Sequence, residues 1–351
     1  MAGLQSNVNL ELSVNYNQRQ MRKTLREQID ANRRASFFLA LLIFLMLVAL
    51  GTSLIGAFYP KYWQIGLAGS LALAVLCVVI ANSMGPSMVL AVAHARPATH
   101  AEDQMLDNVV EEMAIAGGVP KPKIYVIDSD MPNAFATGLN PEHGIIAVTT
   151  GLVRRLTRDE LQGVIAHEMG HIRNYDIKFM TTIAVLVGMI PLLADLFRQM
   201  SWFRGGSRDR DNGGLGAVFF AVGLVLAILA PIASFLLQMA VSRKREFMAD
   251  ATAAELTRYP EGLARALQKL STSGELMPWA SKATAHMYIV NPLQLQDEGT
   301  SMFSTHPATS ERIRALVGLM DASAREKFLD AEKAPIAPPV HQVVDRRNLP
   351  F

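Results

Sequence analysis

Four long stretches of this 351-residue chain carry no charge, and polar segments separate them. The first covers Ala35–Phe58. The second covers Tyr62–Ala93 and is interrupted only by polar and proline positions around Ser83–Pro86. The third, Phe179–Ala194, is shorter and holds Pro191, whereas the fourth, Asn212–Ser242, is long again. A helix needs about 20 apolar residues to cross a hydrocarbon core. Runs one, two and four meet that length and run three is marginal, so the pattern predicts up to four transmembrane helices. Pro60 and Lys61 form a tight turn between the first two.

The polar segments follow other periods. Residues 94–178 predict α+β structure, with a helix around Asp103–Ala116 and punctuation at Gly117, Gly118 and Pro120. Short β-rich runs follow at Lys123–Ile127 and Gly144–Val148. Thr157 to Glu160 forms a capping box ahead of Leu161, Val164, Ile165 and Met169 at helical spacing. Residues 243–334 predict mainly helix. The expected fold class is therefore α+β, mainly helical, in an integral membrane protein. Its parts are a basic N-terminal extension (1–34), a membrane hairpin (35–93), a first polar segment (94–178), a second hairpin (179–242), a second polar segment (243–334) and a Pro-rich tail (335–351).

Composition sharpens this picture. Half the residues are apolar and the net formal charge is +2, which gives no case for nucleic acid as a partner. The lone cysteine, Cys77, lies inside an apolar run, so no internal disulfide scaffold is implied. The polar start does not read as a secretory signal, and the first apolar run is expected to remain as an anchor. Arg19, Arg22, Lys23, Arg26, Arg33 and Arg34 precede the first run, and only Lys61 follows it. The positive-inside bias then places the N-terminus and residues 94–178 in the cytoplasm, and Arg243-Lys244-Arg245 gives the same sign after the fourth run. Arg198, Arg204, Arg208 and Arg210 pull the other way, offset in part by Asp195, Asp209 and Asp211. Either that loop crosses despite its arginines, or the second hairpin does not fully span.

The strongest chemical signal is His167-Glu168-Met169-Gly170-His171. On a helix, positions four apart share a face, so both imidazoles can reach one zinc ion while Glu168 sits beside it as a general base. A catalytic zinc site takes three protein ligands, and two histidines with a glutamate are a known set. Glu246 is the candidate third ligand. Asp250, one turn later, could accept the free N–H of a ligating histidine. Without context, Arg245, Glu246 and Asp250 read as an ordinary charged helix face. Their position changes that reading: His171 precedes the third run and Glu246 follows the fourth, each about 10 Å from the bilayer edge at about 1.5 Å per residue. A hairpin of two apolar helices would bring the two residues together at one membrane surface.

With these residues in hand, the chain resembles the HtpX family of membrane zinc endopeptidases, relatives of the CAAX prenyl endopeptidases. The resemblance runs from about residue 36 to 316. It rests on Asn133-Ala134-Phe135-Ala136-Thr137-Gly138, on His167–His171, on Arg245-Glu246 with Asp250, and on Thr305-His306-Pro307 with Arg312. It implies a zincin-like (gluzincin) catalytic domain at the membrane surface, holding one zinc ion per chain. Glu246 would be the third ligand and Asp250 its outer partner. His306 and Arg312 would lie at the active site near the developing oxyanion. Asn133–Gly138 looks like an edge strand on which an extended peptide would lie by β-augmentation. The N-terminal extension and the Pro-rich tail depart from the family pattern.

Placement and resemblance together imply a multi-pass protein of the bacterial plasma membrane with a cytoplasmic active site. Its partners would be the lipid bilayer and polypeptide substrates, chiefly misfolded or damaged membrane proteins, in a quality-control role. Two other readings are weighed beside this one. A CAAX-type prenyl endopeptidase would use more spans to enclose its chamber. A non-catalytic membrane zinc protein would either place its ligands within the spans, as a transporter does, or lack the glutamate that Glu168 supplies. Oligomeric state and cleavage preference have no signal in the sequence.

Overall fold

A computed structural model describes residues 25–99, 104–204, 214–273, 276–277, 280–281, 284–293 and 307–333. The first two apolar runs form helices α1 (Leu25–Phe58) and α2 (Trp63–Val92), joined by a short 3-10 turn at Pro60–Tyr62. The chain then enters its polar part through strand β1 (Arg96–Pro97), helix α3 (Gln104–Gly117) and strands β2 (Lys123–Ile127), β3 (Ala134–Thr137) and β4 (Ile145–Thr149). Helices α4 (Thr150–Arg155) and α5 (Arg158–Arg173) follow. The third and fourth runs lie in α6 (Asp176–Arg204) and α7 (Gly214–Thr257). Helices α8 (Pro260–Ser271), α9 (Thr309–Leu319) and α10 (Ala322–Lys333) complete the described chain.

The membrane part is a bundle of four helices, α1, α2, α6 and α7, each long and apolar enough to span. Its interior joins Leu39, Ile43 and Leu47 of α1 to Ala74 and Cys77 of α2, Ile183, Leu186 and Ile190 of α6, and Ala230 of α7. Outward faces carry exposed Phe38, Leu45, Ile65, Val79, Leu192 and Leu224, an arrangement that suits hydrocarbon and not water. Close packing relies on small residues: Gly223 of α7 leaves room for the Phe197 ring and for nothing larger than its own hydrogen. The third run spans more than its apolar length suggests. Helix α6 runs past Ala194 to Arg204, and Asp195 and Arg198 pair one turn apart on its surface. Arg208 and Arg210 lie outside the described residues, as do residues 1–24 of the basic extension and the Pro-rich tail.

The polar part packs a four-stranded sheet, in the order β1-β2-β4-β3, against helices. Strands β2 and β4 are parallel, and β3 runs antiparallel to β4 with Phe135 opposite Ala147. Its core combines Val109, Val110 and Met113 of α3, Ile146 and Val148 of β4, and Leu161, Val164, Ile165 and Met169 of α5. Leu263 and Leu267 of α8, Leu316 of α9 and Phe328 of α10 seal it. Helix α5 starts where the sequence predicts. The Thr157 hydroxyl accepts from the Glu160 amide at 3.4 Å, and the Glu160 carboxylate accepts from the Thr157 amide at 2.8 Å. Lys269 of α8 donates to the same carboxylate at 2.7 Å.

Candidate active site

Helix α5 carries His167, Glu168 and His171 into the interior, and all three are buried. Gly170, between the histidines, is what lets α5 approach α7. A Cβ there would stand 3.2 Å from the Ala249 Cα. Helix α7 continues without a break from its apolar stretch to Glu246 and Asp250, both buried. The Glu246 carboxylate faces both imidazoles, at 3.6 Å from His167 Nε2 and 3.5 Å from His171 Nε2. One donor atom from each of the three residues lies within 4.8 Å of the others. A tetrahedral zinc site with ligand bonds of about 2.0–2.1 Å sets its donors roughly 3.4 Å apart. Both measured separations come close to that, and all three donors are of the type zinc takes.

Each imidazole turns Nε2 toward Glu246 and Nδ1 toward a carboxylate. His167 Nδ1 lies 2.9 Å from Asp250 Oδ1, and His171 Nδ1 lies 3.3 Å from Asp176 Oδ2. Asp176 is reached because Tyr175 takes a left-handed backbone (φ +62) just after α5 ends, folding the chain back under His171. Arg312 of α9 spans the other side. Its Nε and Nη2 donate to both Asp250 oxygens at 2.9 and 2.7 Å. Its Nη1 meets the Ile289 carbonyl at 3.0 Å and Glu246 Oε2 at 3.1 Å. His167 Nδ1 also lies 3.3 Å from Nη2. The guanidinium thus lies among Asp250, Glu246 and the Ile289 carbonyl, beside the two imidazoles' donor set. His306 lies outside the described residues, although Pro307 beside it is buried at the start of α9.

Glu168 differs from its neighbours. Both its carboxylate oxygens are buried and have no hydrogen-bond partner. Burial, with help from Glu246, pushes its pKa up to about 8 against the opposing charges of His171 and Arg312. The Ala136 amide of β3 lies near this carboxylate, short of a well-formed hydrogen bond. Burial also works against charge on His171. The Asp176, Glu246 and Glu168 carboxylates overcome it and push that pKa up to about 10. His167 moves down, through burial and the Arg312 charge. On Asp250, burial is outweighed by Arg312 and His167, which hold it below the usual carboxylate range.

Strand β3 is not a wholly open edge. Ile289 donates to the Ala134 carbonyl at 2.9 Å, and Phe135 bridges Tyr288 with their rings edge to face at 4.9 Å. The Asn133 side chain clips Val290, donating to its carbonyl at 2.8 Å and accepting from its amide at 3.3 Å. Residues Asn133–Phe135 are thus partly covered, and Ala136–Gly138 is the end of the strand nearest Glu168. Two participants have no marker in the sequence reading, Asp176 and the Ile289 carbonyl, and a third, Arg245, is marked there only in a basic triplet and in the match it shares with Glu246 and Asp250. The last looked like one of three exposed cytoplasmic charges, yet only Arg243 and Lys244 are exposed, and Arg245 is buried.

Fold and site together define a class, the membrane-embedded metallopeptidases. Comparison with known proteins gives the family: the model of peptidase family M48 matches residues 100–320, and the chain belongs to that family. A relative from Caldanaerobacter subterraneus subsp. tengcongensis, named Protease HtpX homolog, is 45% identical over 303 residues, covering 85% of this chain and 99% of its own. One of the same name from Thermoanaerobacter pseudethanolicus is 43% identical with the same coverage. Another, from Streptococcus uberis, is 40% identical over 83% of this chain and 99% of its own. Among solved structures, S. mikatae Ste24p aligns with a TM-score of 0.46 and 22% identity, over 88% of this chain and 67% of that one.

Proposed function

We propose that the chain is a zinc endopeptidase of the bacterial plasma membrane, holding one zinc ion per chain. It cuts peptide bonds in cytoplasm-facing segments of misfolded or damaged membrane proteins. His167, His171 and Glu246 are its metal ligands and Asp250 orients His167. The two membrane hairpins (35–93 and 179–242) alternate with the two segments of the peptidase part (94–178 and 243–334), with the N-terminus and catalytic side in the cytoplasm. The observation that carries this reading is the unpartnered, buried Glu168 carboxylate beside a His-His-Glu donor set whose spacing suits zinc.

When bound, zinc supplies Lewis acidity that acidifies water and polarises a carbonyl. The remaining work belongs to this chain. An extended substrate aligns along Ala136–Gly138, where main-chain bonds hold it with little regard to side chains. Glu168 takes a proton from the water that attacks the scissile carbonyl, so that the new C–O bond forms as the carbonyl π pair moves to oxygen. Glu168 then gives that proton to the leaving nitrogen as the C–N bond breaks. Arg312 holds Asp250 and Glu246 in place, and His306 or Arg312 is the donor for the oxyanion.

The test compares wild type with Glu168→Gln in detergent. Both should bind about one zinc per chain, and only wild type should cleave an unfolded membrane-protein reporter. Equal cleavage by the two would remove Glu168 from the chemistry.

A further inference from the structure

We infer that Asp176 and Arg245 form the positioning pair for His171, so that the packing of membrane helices α6 and α7 sets the orientation of one imidazole of the metal site. This rests on the metallopeptidase reading above. Asp176 opens α6 and is 3% exposed. One of its oxygens, Oδ2, meets His171 Nδ1 at 3.3 Å, which leaves Nε2 turned toward Glu246. The other, Oδ1, accepts from Arg245 Nη1 at 2.8 Å. Arg245 stands on α7 directly before Glu246, and its guanidinium carbon lies 4.1 Å from the centroid of the Phe179 ring. Phe179 is on α6, three residues after Asp176 and so on the same face. One face of α6 therefore receives one arginine of α7 through a carboxylate and an aromatic ring together.

The chemistry of the pair is directional. A carboxylate on Nδ1 fixes the tautomer that presents the Nε2 lone pair to a metal and raises its basicity. A brace between two helices would need only the ion pair, and a buried ion pair contributes little net stability relative to apolar replacement. Here the carboxylate is shared between arginine and imidazole, and the imidazole is the one whose far nitrogen faces Glu246. Arg245 and Glu246 are consecutive, so any slide or rotation of α7 against α6 moves a metal ligand and the counter-ion of the other ligand's partner together.

The measurements are zinc affinity by chelator competition on the full chain in detergent, and the visible spectrum of the cobalt-loaded protein. Asp176→Ala should weaken zinc binding by about 10–100-fold and alter the cobalt bands. Asp176→Asn keeps an acceptor for the Nδ1 hydrogen and should retain most of the affinity. The double variant Asp176→Ala with Arg245→Leu also removes the cation that faced Asp176, and it should recover thermal stability but not zinc affinity. Affinity within twofold of wild type in a folded Asp176→Ala overturns the assignment, as does full recovery of affinity in the double variant. If Asp176→Ala fails to fold by circular dichroism, the other two variants decide by the same criteria. A wild type that neither binds zinc nor cleaves would sink the metallopeptidase reading itself, whereas a zinc-binding wild type indifferent to Asp176 sinks only the pairing.

Discussion

The two imidazoles facing Glu246 are each backed by an aspartate and an arginine, yet the two supports come from different parts of the molecule. His167 leans on Asp250 and through it on Arg312, whose guanidinium also holds Glu246 and the Ile289 carbonyl. That support is built inside the polar part and reaches to the segment covering β3. His171 leans on Asp176 and Arg245, which stand at the membrane ends of α6 and α7. The difference teaches that one half of the site is held by the peptidase core and the other by the bundle. Damage to either should register at the metal, but with different side effects on stability.

The largest break is removal of both imidazoles. His167→Ala combined with His171→Ala should abolish zinc binding and cleavage together, and unchanged metal content by atomic absorption would eliminate the site. Next comes Glu168→Gln, which touches neither support. It should lower turnover by about 10²–10⁴-fold with zinc retained. Arg312→Ala strands two buried carboxylates, so it should cost about 3–5 kcal/mol of stability as well as metal affinity, read as a lower thermal midpoint. The pH response sharpens the contrast further. His171 must shed a proton that three carboxylates, acting against burial, hold up to about 10, so zinc affinity should climb about tenfold per unit from pH 6.5 toward that value. The stabilisation that this proton lends the metal-free fold is complete below about 6.5 and fades as pH rises through 10. A flat affinity profile would show that His171 is not charged before metal binds. Smallest of all, Thr157→Ala removes the cap of α5, remote from both supports. It should cost about 1 kcal/mol and leave zinc affinity alone.

Much of this site was legible because its signals are local. The four-residue spacing of His167 and His171, the capping box and the β-rich run Lys123–Ile127 each depend on neighbours a turn or less away. The hairpin argument also placed Glu246 near His171, because uncharged runs convert sequence distance into a known geometry. What escaped were contacts made only in three dimensions. Asp176 lies at the border of an apolar run, where an acid ordinarily marks no more than the end of a span. Arg245 sits in a basic triplet whose other members do face outward. Ile289 and Val290 cover β3 from a segment with no β pattern of its own, since their partners are a carbonyl and the Asn133 amide rather than a ladder.

Helix α7 has one more consequence, for the order of events during synthesis. The two imidazoles leave the ribosome well before Glu246, with residues 172–245 in between, and those residues include both helices of the second hairpin. At about 5–20 residues per second, roughly four to fifteen seconds separate the first two donors from the third. Until the hairpin has been threaded and folded back, the newborn chain holds two histidines and a glutamate that cannot yet meet their partner. The three donors thus come together only after the second hairpin has folded back.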